Sequence, residues 1–580
     1  MNVAFIAKQI VNAALTTAAH LSEDRVFFAM QLARRLPNQA SRAVGVVLGR
    51  LPDAASRAAS AWLLGRESRA RELVVSGAKE SPSRLLGEIA LNLGMAEEAL
   101  RIADVAEASA SLRSRVLWNA GDIDRAIDAV PSTRRQVRLA AERTVLSPGW
   151  WPRIDDHVVA RAPRDLRTLE PPTSLHVLTN SLPHTRSGYA HRSHLILTTL
   201  NAAGNRVLAA TRPSYPVTIG RLSRSDVERV DGVDYLRQVP LAPASTPSAR
   251  LHQQADWIAG QVARNNVGIL HTTTHYVNGL ATGAAARATG VPWVYEVRGV
   301  LEETWAAAGS TPAERSARRT SQRFELMRAK EIEVASGADA VITLGATMRD
   351  HLIAGGVPAD SITLIPNAVS EAVVSADVSR SPSEVRGELG LPEAGVWVGT
   401  AASVVGYEGL DDLVEAVIVA RANGTDLRLL IAGDGVALPE LREKAAVLGD
   451  HAVFTGRVSA VSAINYQLAL DAVVVPRKDE PVCRLVTPIK PVEAMGLRRP
   501  VVISDLPALK ELVPAAAGLT VSPENPDELA EVLSGLACDD SAREGLGRNG
   551  REHVLTTRRW KDIGRRYGQV YAQIAGAGAR

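Results

Sequence analysis

From Leu175 onward the chain alternates short apolar runs with intervals of helix length, and this alternation limits the fold more than any other feature. The runs are LHVLTN (175–180), VLAAT (207–211), NVGILHTT (266–273), VPWVYEVRG (291–299), DAVITL (339–344), WVGTAAS (397–403), LRLLIAGDG (427–435), AVFTG (452–456), DAVVVPR (471–477) and PVVIS (500–504). Apolar runs this short and this continuous suit strands buried on both faces, as in parallel sheets covered by helices. Most intervals are long enough for a crossover helix, so the expected class is α/β, with two Rossmann-like, doubly wound parallel-sheet domains. A chain of 580 residues exceeds one hydrophobic core, and 46% apolar residues supply enough material for several.

The first 150 residues read differently. Stretches of Ala, Leu and Arg, broken at Pro37, Pro52, Pro82 and Pro131, predict helix after helix. AWLLGRESRAREL (61–73), ALNLGMAEEALRI (90–102) and VLWNAGDIDRAID (116–128) each place an apolar pair, a Gly and then an Ala, with Gly65, Gly94 and Gly121 spaced 29 and 27 apart. That spacing is near the period of helix-turn-helix solenoids, in which Gly ends one helix and small residues admit the next. A degenerate helical-repeat module is expected over 1–150, with an irregular bundle as the alternative; docking of a partner, self-association or packing on the remainder are its open roles. A linker follows over 151–172, then sheet domains over 173–375 and 376–556, and a terminal helix within 557–580.

Charge excludes some classes. With 66 basic and 63 acidic residues the net charge is +3, which gives no case for a nucleic-acid partner. Two cysteines, Cys483 and Cys538, make neither a disulfide framework nor a zinc site, and a reducing cytoplasm fits. Lys8, Gln9 and Asn12 interrupt the apolar run near the start, which reads as an amphipathic helix and not as a leader or a membrane span. The dinucleotide pattern G-x-G-x-x-G is absent, which argues against a nicotinamide or flavin enzyme.

One stretch concentrates the chemistry. EPVCRLVTPIKPVEA (480–494) follows the apolar run 472–475, and ligands of open α/β sheets gather at such strand ends. A helix opening at Val492 would leave N–H groups for an anion. Glu493 could then accept both hydroxyls of a ribose, and Lys490 could face a phosphate. Glu408, in SVVGYEGLDDL, would repel that phosphate, so Arg477 and Lys490 are the expected cations, helped by free N–H groups of a Cys483 to Val486 loop. Cys483 has no nearby His in the sequence and reads as a packing residue. Upstream, the loop 181–194 offers His184, Arg186, Ser187, Tyr189 and Arg192 around Gly188, where backbone can approach a ligand. His275 with Asn278, and Glu296 with Arg298, stand at two further strand ends; an ion pair fixing the strand end is the alternative for the second pair.

The segment 480–494, continued by MGLRRPVVISDLPALKELV, resembles the donor signature of the retaining nucleotide-sugar glycosyltransferases of family 4, whose fold is called GT-B. The second Glu of that family's Glu-x7-Glu motif falls on Glu493, while Leu485 stands where the first is expected. The resemblance implies two Rossmann-like domains facing a cleft, an acceptor domain over 173–375, a donor domain over 376–556, and a final helix crossing back toward the first. It implies a donor site of Gly188, Thr455, Cys483, Arg484, Leu485, Val486, Thr487 and Glu493, catalysis by His275, Arg477 and Lys490, and an acceptor side of His184, Tyr189, Arg192, Asn278, Glu296 and Arg298. The implied reaction moves a sugar from a nucleotide diphosphate sugar to an acceptor hydroxyl with retention, in cell-surface polysaccharide or glycolipid synthesis, with no cofactor and no metal. The implied acceptor is a glycan or a lipid-linked sugar, with peripheral contact at the inner face of the plasma membrane through the Arg315, Arg318, Arg319 and Arg323 stretch. An epimerase or phosphorylase of the same fold, or a decayed transferase acting as a scaffold, are the alternatives.

Overall fold

A computed structural model describes residues 3–23, 25–33, 38–105, 110–159 and 173–577. Pro37 and the part of the expected linker from 160 to 172 lie outside the described residues. The described chain forms two compact units, one of residues 1–191, 207–293 and 301–337 and the other of residues 192–206, 294–300 and 338–580.

The first unit opens with paired helices. Ala54–Leu63, Arg84–Asn92 and Ala110–Ala120 are each followed by a corner and then by Glu67–Glu80, Ala96–Val105 and Ile123–Asp128. The repeat glycines sit at the corners: Gly65, Gly94 and Gly121 have φ of 72°, 72° and 95°, a left-handed conformation that only Gly adopts without strain. Two of them also allow close approach, because a Cβ on Gly94 would collide with Ser310 and one on Gly121 with Ser321. The module therefore packs on the neighbouring helices Pro312–Arg319 and Gln322–Ser336, where Arg323 N–H donates to Gly121 O and Lys330 Nζ to Ser147 O.

That packing gives the basic stretch partners within the chain. Arg318 is buried, paired with Glu314 and bonded to Trp305 O, while Arg323 lies 3.8 Å over the Trp118 ring. Arg319 pairs with Glu303 and Arg315 donates to Gly309 O. These guanidinium groups hold the helices to one another, and the charged stretch, expected as one long helix over 313–336, is broken at Thr320 and Ser321.

The first helix, α1 (Val3–Glu23), is amphipathic as expected but reversed in sense. Beside Phe5 it buries polar groups: Gln9 and Asn12 are 0% exposed, Gln9 exchanges hydrogen bonds with Ser223 O and N, and Asn12 donates to Pro240 O. It turns Val3, Ile10, Val11, Leu15 and Leu21 outward, Val3 being 75% exposed. The anchor is thus polar and specific. Gln9→Ala is expected to leave the Ser223 amide unpaired at a cost of about 1–3 kcal/mol, read as faster hydrogen exchange of that amide.

Strands of the first unit are β1 (Thr173–Leu178), β2 (Val207–Thr211), β3 (Val227–Val230), β4 (Val233–Leu236) and β5 (Val267–Thr273), in the order β3-β4-β2-β1-β5. All neighbours are parallel except the β3/β4 hairpin, which the apolar-run pattern missed; its turn is Asp231-Gly232, both at positive φ, the signal that would have found it. The chain builds β2 and β4 to one side of β1 and β5 to the other, so the order reverses at β1/β5.

The second unit carries β6 (Trp293–Val297), β7 (Ala340–Thr343) and β8 (Ile362–Leu364), paired in that order. It also carries a six-stranded parallel sheet of β9 (Val396–Ala401), β10 (Leu427–Ala432), β11 (Ala452–Gly456), β12 (Ala472–Val475), β13 (Val501–Ser504) and β14 (Gly518–Val521). The order β11-β10-β9-β12-β13-β14 reverses at β9/β12, where Leu413, Val417, Leu429, Val474 and Val502, all fully buried, fill the core beneath the covering helices. Two parallel-sheet α/β domains preceded by a helical region is the architecture expected from the alternation of apolar runs.

Candidate functional site

In open α/β sheets ligands meet the carboxyl ends of strands at the point of reversal. In the second unit that point places the segment after β9, with Glu408, beside the segment after β12, with Arg477. Gly409 permits the approach: its φ is 68°, and a Cβ there would collide with Pro476 O.

Glu408 is the centre of this cluster, and the charge expected to repel a phosphate is neutralised by the two cations expected to attract one. Arg477 grips it with Nη2 to Oε1 at 2.9 Å and Nε to Oε2 at 3.3 Å, and Lys490 Nζ reaches Oε2 at 2.7 Å. Burial alone would raise the Glu408 pKa, but the two cations overcome it and hold the carboxyl at about 2. Arg477 is raised because Glu408 outweighs its burial, and Lys490 is lowered by burial with Glu408 opposing. The cluster carries one net positive charge. Beside it, Thr487 is 4% exposed with its Oγ1 unpartnered, while its carbonyl accepts from Asn367 Nδ2.

The expected Cys483 to Val486 loop is also corrected. Pro481–Leu485 is a short helix, and the N–H groups of Cys483, Arg484 and Val486 are bonded to Glu480 O, Glu480 O and Val482 O. No free amide cradle exists there among these three. Helical geometry instead turns Arg484 to the surface, paired with Asp479, and Cys483 inward, where burial pushes its thiol up to about 12 and Sγ donates to Tyr407 O. Leu485 is partly buried in the same turn. Thr455 stands half-buried one residue before the end of β11, its hydroxyl donating to Gly456 O.

The next helix starts two residues earlier than expected, spanning Lys490–Gly496, so Glu493 N–H is already bonded to Ile489 O and only its side chain is left for a ligand. Glu493 keeps a partly exposed edge amid dense protein; burial raises its carboxyl to about 7, with a hydrogen bond from Gln467 and the Lys490 charge opposing. A carboxyl raised this way is mostly protonated below that pH and accepts two hydroxyls only above it. Donor affinity is therefore expected to rise from about pH 6 to about pH 8, and to be flat in Glu493→Gln, measured by calorimetric titration of a nucleotide sugar.

In the first unit the reversal at β1/β5 places the Gly188 loop and the His275 loop side by side. Gly188 opens the helix Gly188–Ala202, and a Cβ there would meet nothing within 4 Å. Tyr189 OH bonds Thr179 N–H and Thr273 Oγ1. His275 Nε2 lies 2.9 Å from Arg212 Nη2; a guanidinium only donates, so Nε2 accepts and the proton sits on Nδ1, which is buried without a partner. Burial and the Arg212 charge hold this imidazole down at about 3. Such a histidine has no free lone pair to act as a base and offers a single N–H. Asn278 is fixed between Arg212 Nε and Thr179 Oγ1.

Four expected acceptor contacts are spent elsewhere. His184 Nε2 pairs with Glu228 at 2.8 Å, and Glu228 with Arg237, fastening the loop to the β3/β4 hairpin. Glu296 is 0% exposed and accepts from Arg192 Nη2 at 2.8 Å, Arg298 Nη2 at 2.6 Å and Tyr567 OH at 2.9 Å. A buried carboxylate demands such partners, so this set reads as a clamp on the helix Trp560–Ala577. Arg212, bonded to His275 and Asn278, is the site group that the sequence did not single out.

Comparison with known proteins agrees with this layout. Residues 187–368 match the glycosyl transferase 4-like domain and residues 394–539 match the glycosyl transferases group 1 domain. Alpha-D-kanosaminyltransferase of Streptomyces kanamyceticus is 27% identical over 37% of this chain and 54% of its own. The GDP-mannose-dependent monoacylated alpha-(1-6)-phosphatidylinositol monomannoside mannosyltransferase of Corynebacterium glutamicum is 28% identical over 35% of this chain and 54% of its own. The chain thus spans about half the length of these curated relatives. Anabaena HepE in complex with UDP-glucose superposes with a TM-score of 0.52 at 16% identity, over 69% of this chain and 100% of that one. The chain belongs to the group 1, family 4 glycosyltransferases and has their GT-B fold.

Proposed function

We propose that the protein transfers a glycosyl residue from a nucleoside diphosphate sugar to a hydroxyl of a glycan or lipid-linked acceptor, with retention of anomeric configuration, in the assembly of a cell-surface polysaccharide or glycolipid. The observation that carries this is the Arg477–Glu408–Lys490 cluster at the β9/β12 reversal, with the unpartnered Thr487 hydroxyl beside it. Relatives whose names include GDP-mannose dependence, and a neighbour holding UDP-glucose, support a nucleotide-sugar donor.

Lys490 and Thr487 face the donor diphosphate, while Arg477 and Glu408 hold the lysine in place. Departure of the sugar leaves negative charge on the terminal phosphate, and Lys490, fixed beforehand, stabilises it. Glu493 in its ionised form accepts the ribose hydroxyls. The sequence holds no nucleophile pair at a convincing spacing, so in this reading the leaving phosphate itself takes the acceptor proton. His275 Nδ1–H donates to a sugar hydroxyl. The chemistry is positioning and charge stabilisation, with catalysis outside any metal.

A thermal-shift screen of nucleotide sugars, followed by product analysis, tests this. The expected result is stabilisation by at least one donor and an acceptor-dependent glycoside. Conversion of the sugar nucleotide without acceptor would instead define an epimerase, a requirement for inorganic phosphate a phosphorylase, and binding without turnover a scaffold.

A further inference from the structure

A concavity in the first unit is walled by α1, the β3/β4 hairpin with the segment after it, and the helix Pro247–Asn265. Its volume is about 660 Å³, within the range of ligand-sized sites. We propose that this groove binds a neutral glycan chain, holding an acceptor at a distance from the reacting end; the proposal rests on the sugar-transferring reading above.

Composition identifies the ligand class. Trp257 and Phe5 line the groove, and an aromatic face suits the C–H face of a sugar ring. Two cations, Lys8 and Arg264, are balanced by two carboxylates, Asp226 and Asp256, and the third cation, Arg237, is already neutralised by Glu228 at 2.8 Å. A wall without net charge does not select a nucleotide or a phosphorylated lipid. It offers separated donors and acceptors, the pattern that a polyhydroxyl chain satisfies. Gln238 adds an independent sign: it is 4% exposed, its Nε2 donates to Gln253 O, and its Oε1 has no partner. An unpaired buried amide oxygen is costly unless a ligand hydroxyl or water reaches it.

The reversed α1 explains how the wall is built. Gln9 and Asn12 fix the helix to Ser223 O and Pro240 O, which places Phe5 and Lys8 on the groove.

Saturation-transfer NMR on the full chain, with maltohexaose, mannohexaose and cellohexaose as probes, tests the assignment. At least one probe is expected to show transfer, Trp257→Ala to weaken it roughly tenfold, Arg264→Ala to weaken it less, and Glu493→Gln to leave it unchanged. Circular dichroism and the nucleotide-sugar thermal shift of Trp257→Ala are expected to match the parent, which separates loss of the groove from loss of the fold. Absence of transfer from all three probes, or equal transfer in Trp257→Ala, overturns the proposal. Failure of nucleotide sugars to stabilise the parent while glycan transfer persists overturns the donor-site reading alone.

Discussion

Replacing Lys490 by Ala is expected to lower kcat by roughly 10²–10³-fold, the size of effect seen when one pre-set donor to a developing anion is removed. The reason is geometric. Lys490 Nζ spends one proton on Glu408 Oε2 at 2.7 Å and keeps two for the phosphates of the proposed donor, and the side chain is held at the start of a helix with only 15% exposure. Glu408 remains compensated in the variant by the bidentate Arg477, so the fold survives and the apparent melting temperature changes little. Single-turnover assays measure the chemical step directly. Lys490→Arg should recover only part of the rate, because a planar fork cannot occupy the place of a point charge. A Lys490→Ala variant with the parent's single-turnover rate would remove the residue from the reaction.

The largest effect on stability is expected from Glu408→Ala. Arg477 and Lys490 would then be buried without a counter-charge, and removing one partner from such a set costs about 3–5 kcal/mol. Chemical denaturation followed by tryptophan fluorescence, Trp397 being fully buried in the affected sheet, reads this loss. Restoring part of it with Glu408→Ala combined with Lys490→Met would show that repulsion is the cause; equal stability of single and double variants would show that it is not. The pH dependence has a definite sign. Glu408 is held at about 2 against 4.5 for a free glutamate, so its contribution is complete above about pH 4.5 and disappears as pH falls toward 2. Acid sensitivity in that window should vanish in Glu408→Gln.

The sheets were legible because each apolar run states both its burial and its ends. VLAAT and AVFTG coincide with β2 and β11 residue for residue. The hairpin escaped because β3 has an exposed face and carries Glu228 and Arg229, so no apolar run announces it. The repeat glycines were legible because left-handed helix corners admit little else. The site was legible in its residue types and not in its pairings. Nothing in the spacing of Glu408, Arg477 and Lys490 says that the acid lies between the bases, since that depends on the order of β9 and β12 in the sheet. A backbone expected to be open around Cys483 closed into a helix because Pro481 at its first turn favours one. The same limit applies to Glu296: its sequence neighbour Arg298 was visible, whereas Arg192 and Tyr567 come from distant elements.

Of the two thiols in this chain, one is sealed beneath Tyr407 with its proton tightly retained, and the other, Cys538, ends a helix on the open surface of the same unit. Maleimide dyes should therefore attach at one place in the unaltered protein. That gives a ready optical reporter on the second unit, and lets ligand titrations proceed without engineering the chain first.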